Sequence, residues 1–132
     1  MSIDGVMSTS KNHSLLVRIG GERILRKAIH LLYEKIFSDN SLRPYFTGVD
    51  QMGLTNKMNQ IFITICSDFD QSKLTYLRST HARAVSNGLD DIHFDHMAGH
   101  LRSTFFELKI EKQFVDEFLE RIEETRPIVL GR

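Results

Sequence analysis

The sequence predicts an all-α domain, and three observations carry that prediction. Apolar residues recur at intervals of three and four along most of the chain, the mark of helices with one buried stripe. No window holds a convincing strand. The 132 residues suffice for one core and are too few for two of ordinary size.

Residues 1–14, MSIDGVMSTSKNHS, lack the basic-then-apolar layout of a secretory signal and read as an N-terminal arm ahead of a domain spanning 15–132. From Glu22 to Phe37 the stripe Ile24, Leu25, Ala28, Leu31, Leu32 and Ile36 runs beside Arg23, Arg26, Lys27, Glu34 and Lys35. Gly20-Gly21 punctuates the start of this helix and Ser38-Asp39-Asn40 its end. Leu42 to Val49 holds Pro44 and Gly48 around Tyr45 and Phe46, a short aromatic corner. A second long helix is expected from Gln51 to Cys66. Its run Ile61-Phe62-Ile63-Thr64-Ile65 also suits a strand. The helix wins because Leu54, Met58, Ile61, Phe62 and Ile65 keep helical spacing, and a lone strand has nothing to pair with.

A polar loop, Ser67 to Lys73, leads to a short helix from Leu74 to Val85, closed by Asn87-Gly88 in the manner of a left-handed cap. Asp90 or Asp91 then caps a helix carrying Phe94, Met97, Leu101, Phe105 and Leu108. A last helix, Lys112 to Thr125, shows Phe114, Val115, Phe118, Leu119 and Ile122, with Pro127 near its end.

Composition excludes several classes of function. Seventeen basic residues balance seventeen acidic ones, which removes the electrostatic footprint of a dedicated nucleic-acid module. The one cysteine, Cys66, forms neither an intrachain disulfide nor a multi-cysteine zinc site. No apolar run approaches the roughly eighteen residues of a membrane span. A soluble protein of the cytoplasm is the expectation.

Few residues carry chemistry. His93 and His96 follow the acidic cap three residues apart, a spacing that zinc uses, but no further ligand stands beside them; capping and solvated surface is the plainer reading. His81 lies in the stripe Leu74, Leu77, His81, Ala84, Val85, where an imidazole needs a hydrogen bond or a metal. On spacing alone it is a satisfied core histidine or a ligand. Lys57 sits at the edge of the stripe of its helix, where a lysine ordinarily lays its stem on apolar surface and keeps its ammonium wet. No phosphate loop, nucleophile elbow or carboxylate pair is present.

Taken in order, Ile19-Gly20-Gly21, Leu32-Tyr33-Glu34, Leu42-Arg43-Pro44-Tyr45-Phe46, Val49-Asp50, His81-Ala82 and Ile92-His93-Phe94-Asp95 resemble the truncated haemoglobins, most closely group I, over roughly residues 15–129. The resemblance implies a shortened globin, two helices packed over two around a haem b. His81 then matches the proximal iron ligand. Phe46 matches the aromatic wedge against the porphyrin, and Tyr33 the distal tyrosine that hydrogen-bonds a bound ligand. Leu54, Lys57, Met58 and Phe62 fall on the distal helix, and Leu77, Phe94 and Met97 become pocket wall. Three departures stand out: Leu32 where many members have Phe, Met58 where a glutamine is common, and Ser67-Asp68 where a Gly-Gly pair is frequent.

The implied function is reversible binding of oxygen and other diatomic gases, nitric oxide and CO among them, by a monomer. Nitric oxide dioxygenation is the implied enzyme activity, with Tyr33 as the catalytic side chain and an external reductase supplying electrons. Lys57 occupies a position from which some relatives supply a sixth iron ligand. Its amine must be neutral to do so, and the alternative is an ion pair with a haem propionate. An internally six-coordinate protein of redox or nitric oxide metabolism is the second reading, and a haem-free helical interaction module the third.

Overall fold

The computed structural model describes residues 14–67 and 69–132. Its helices are α1 (Leu15–Ile19), α2 (Gly21–Phe37), α3 (Gln51–Ser67), α4 (Leu77–Ser86), α5 (Asp91–Glu107), α6 (Lys112–Glu124) and α7 (Arg126–Val129). Two 3₁₀ turns, Arg43–Tyr45 and Gln71–Leu74, lie between them. No strand occurs among the described residues, and no helix is long and apolar enough to cross a membrane.

Four long helices close a ring: α2 packs on α3 and α5, and α6 packs on α3 and α5. That is the two-over-two sandwich. Its centre is filled by Leu25, Ile29, Leu32, Ile36, Ile65, Leu101, Phe105, Val115 and Phe118, all of them 2% exposed or less. Phe118 stacks at 4.5 Å on Phe105 and meets Phe62 edge-on at 5.8 Å. Cys66 belongs to this packing, and burial pushes its thiol up to about 12, so it remains protonated and inert.

Local chemistry sets the boundaries. Ser14, counted with the arm in the sequence, is the cap of α1, its hydroxyl accepting from the Val17 amide at 3.3 Å; the rest of the arm lies outside the described residues. Gly20 joins α1 to α2 at φ +115°, and a Cβ there would stand 2.6 Å from Ile24 Cγ1. Asp50 opens α3 by accepting the Gly53 amide on Oδ2 at 3.1 Å. The helix then runs through Ser67, while Asp68 of the expected stiff hinge is outside the described residues. The short helix begins at Leu77 rather than Leu74, because Asp70 Oδ1 accepts from the Ser72 amide at 3.0 Å and caps the preceding 3₁₀ turn instead. Asp90 is the cap of α5.

Helix α4 stands apart from the sandwich and packs chiefly on α7. Arg126 at the head of α7 pairs with Asp91, Asp95 and Glu123 and lies 4.4 Å over the ring of Phe94. The Asp91 and Asp95 pairs tie α7, and through it α4, to the first two turns of α5, and the Glu123 pair ties it to α6.

Candidate functional site

A largely apolar cavity of about 660 Å³ opens between α3, α4, α5 and the corner. Nine of the predicted residues line it: Phe46, Leu54, Lys57, Met58, Phe62, Leu77, His81, Phe94 and Met97. A volume within the ~300–1,000 Å³ of cofactor pockets, with apolar walls and few polar groups, suits a flat, mostly hydrophobic ring.

His81 is the polar group with the clearest preparation. The stripe that carries it is buried at Leu74 and Leu77 and half-buried at His81, Ala84 and Val85, and the cavity opens at His81 and Ala84. Nδ1 lies 2.8 Å from the Leu77 carbonyl one turn back. A carbonyl only accepts, so Nδ1 carries the proton and Nε2 keeps its lone pair, which is the tautomer a metal requires. Nε2 has no hydrogen-bond partner among the described residues.

No family model matches the chain. A group 1 truncated hemoglobin of Tetrahymena pyriformis is 24% identical over 123 residues, which span 93% of this chain and 99% of that protein. The group 1 truncated hemoglobin GlbN of Synechocystis is 27% identical over 106 residues, 79% of this chain and 85% of that one. The solved 2/2 hemoglobin of a Synechococcus superposes with a TM-score of 0.78 at 26% identity, covering 90% of this chain and 99% of that one. In sequence and in fold the chain is similar to the group 1 truncated hemoglobins. These are globin-type haem proteins.

Tyr33 does not line the cavity. It is 4% exposed on α2, and its hydroxyl is buried with no hydrogen-bond partner. Burial pushes the phenol above its ordinary range, partly offset by the nearby Thr55 hydroxyl, so Tyr33 keeps its proton. Thr55 spends its own proton on the Gln51 carbonyl at 2.8 Å. The Tyr33 hydroxyl is thus buried beside Thr55 and outside the cavity wall. Lys57 lines the cavity yet is exposed, so its stem covers apolar wall while its ammonium reaches solvent.

The histidines of α5 divide. His93 closes a capping box, its Nδ1 accepting from the Asp90 amide at 3.0 Å, and it also lines the cavity, edge-on to Tyr45 at 5.2 Å. The sequence pattern gave the cap and missed the cavity, because the corner that brings Tyr45 across lies more than forty residues earlier in the chain. His96 turns instead to Asp39 and to His100. Among the described residues no group of three or more His, Cys, Asp or Glu is arranged to hold a metal ion.

Asp39, in sequence one residue of a helix-ending loop, has a larger part in the structure. Its Oδ2 lies 2.9 Å from His96 Nδ1 and 2.7 Å from His100 Nε2. Burial would raise this carboxyl, but the hydrogen bonds from Ser41, His100 and His96 outweigh it and hold the group far below the usual carboxylate range.

Proposed function

We propose that the chain holds one haem b in this cavity with His81 Nε2 as the ligand to its iron, and reversibly binds oxygen, nitric oxide or CO. The observation that carries this reading is the His81 imidazole, locked by the Leu77 carbonyl with its free nitrogen in an apolar wall. When bound, the haem supplies an iron that takes a diatomic gas in its open position. Phe46, Met97 and Phe94 supply apolar wall, and Leu54 and Met58 on α3 offer no strong donor to a bound gas. Tyr33 lies outside the cavity wall with a buried, unpartnered hydroxyl, and it would serve a bound gas only if that hydroxyl turned to the pocket.

A second reading is favoured by Lys57, which lies in the cavity wall on the helix bearing Leu54 and Met58. A neutral Lys57 amine would act as an internal ligand, and a charged one would pair with a haem carboxylate. Nitric oxide dioxygenation at the same pocket needs electrons from an outside reductase. Gas binding is therefore the function that these residues support by themselves.

The test is a titration of the purified chain with haem, followed by absorption spectra in the ferric, ferrous and CO-bound states. The reading expects saturation at one haem per chain, an intense Soret band and a shift of that band with CO. A chain that gains no Soret band contradicts it.

A further inference from the structure

We infer that Asp39 is a positioning residue of the haem pocket: its carboxylate fastens the corner that carries Phe46 to α5, the helix that carries Phe94 and Met97, and so slows haem loss. The inference rests on the haem-binding reading above. Asp39 stands two residues after α2 and knots the start of the corner. Its backbone carbonyl accepts the amides of Leu42 at 3.2 Å and Arg43 at 2.8 Å. Its Oδ1 accepts the amide of Ser41 at 2.9 Å and the Ser41 hydroxyl at 2.7 Å.

The second carboxylate oxygen then crosses to α5. His96 and His100 are four residues apart, so their rings share one helical face, and each presents an N–H to Oδ2. Phe94, Met97 and Leu101 of the same helix line the cavity. One side of α5 therefore makes pocket wall while a neighbouring side grips the corner. The Asp39 side chain is 10% exposed, against 42% and 26% for the two imidazoles, so the shared carboxylate is the desolvated member.

Four donors around one carboxylate satisfy it fully and make it a strong directional anchor. The far end of the corner has less: Tyr45 donates to the Asn87 carbonyl at 3.3 Å and touches the His93 ring. Leu42, Tyr45 and Phe46 line the cavity from this corner, so their placement depends mainly on the Asp39 end. Asp39 itself does not line the cavity. Its effect is exerted through Phe46 and its neighbours.

The experiment compares haem-loaded wild type, Asp39→Ala, Asp39→Asn and Glu107→Gln. It measures haem transfer to an excess of an acceptor apoglobin, the denaturant midpoint, and amide exchange at Leu42 and Arg43. Glu107 pairs with Lys35 at 2.8 Å, joining α2 to α5 without touching the corner. Asp39→Ala should speed haem loss about tenfold, the factor that one charge-assisted hydrogen bond is worth, with faster exchange at both amides. Asp39→Asn keeps an acceptor oxygen and should fall between. Glu107→Gln should lower the midpoint slightly and leave haem loss unchanged. If Asp39→Ala yields no folded protein, His100→Gln carries the same comparison.

A wild type that takes up no haem contradicts the functional reading, and the proposal falls with it. A wild type that holds haem while Asp39→Ala loses it no faster contradicts the proposal alone. So does an Asp39→Ala that changes haem loss and midpoint in the same proportion as Glu107→Gln, because that is the signature of general helix packing.

Discussion

His81 and Tyr33 are held in opposite ways. His81 is half-buried, with one ring nitrogen committed at 2.8 Å to Leu77 so that the other is left free at the cavity wall. Tyr33 is almost fully buried, and its hydroxyl is committed to nothing. The difference suits the roles proposed for the two groups. A metal ligand must present a lone pair in a fixed direction before the metal arrives, so its other nitrogen is tied down. A hydrogen-bond donor to a transient ligand must keep its proton unspent while the ligand is absent, and an unsatisfied buried hydroxyl is the cost of that readiness.

The comparison breaks first at His81. His81→Gly should abolish haem retention, or leave a pocket that recovers its spectrum only with added imidazole, as gel filtration of the loaded protein would show. A normal ferrous spectrum in that variant returns the ligand role to His93, His96 or His100.

Tyr33→Phe tests the distal role proposed for Tyr33. Loss of one hydrogen bond to a partly charged acceptor is worth about 1.5 to 3 kcal/mol, or about ten- to a hundredfold in the rate of oxygen release measured by stopped flow. The same substitution removes an unpartnered buried hydroxyl, so the haem-free protein should unfold at an equal or slightly higher denaturant concentration. An unchanged release rate removes Tyr33 from the distal site.

Lys57→Ala sharpens the comparison by testing a side chain that does line the cavity. If the amine ligates ferric iron, the wild type is six-coordinate and low-spin at alkaline pH, and acid shifts it toward a water-bound or five-coordinate spectrum as protonation competes. The variant would show that high-spin spectrum at neutral pH and bind external ligands faster. If Lys57 pairs only with a propionate, coordination is untouched and haem loss changes slightly, as befits an exposed ion pair.

The smallest effect lies away from the pocket, where Arg18 grips Glu117 in two bonds of 2.7 and 2.9 Å and Arg121 adds a third. The Arg18 hydrogen bond, ahead of the opposing cost of burial, holds the Glu117 carboxyl below its ordinary value. A depressed carboxyl contributes stability above its unfolded value, and that contribution fades as pH falls through the folded one. Glu117→Gln should therefore cost about 1 kcal/mol near neutral pH and progressively less in acid, read as denaturant midpoints.

The four long helices and the aromatic corner were legible because each holds enough turns for its spacing to show, as the stripe from Ile24 to Ile36 does. Helix α1 was not, because Leu15–Ile19 is too short for a period and its cap, Ser14, looks like any polar arm residue. Nine of the predicted pocket residues meet at one cavity, because spacing put them on inward faces and the resemblance named those faces. Tyr33 lies outside the cavity wall, and nothing in its local spacing tells which way a buried ring on a fully packed helix will point. The Asp39 grip joins residues 57 and 61 positions apart. Only the packing of α2 on α5 brings them together, and one chain read along its length holds no trace of it.

The most direct measurement is a nuclear magnetic resonance spectrum of the CO-bound, haem-loaded protein with ¹⁵N-labelled histidine. The account predicts that one of the six imidazoles, His81, keeps a slowly exchanging proton on Nδ1 while its Nε2 resonance and its ring protons move sharply on haem uptake. A His81 ring whose resonances stay where they were in the haem-free protein, while those of His93, His96 or His100 move instead, would contradict it.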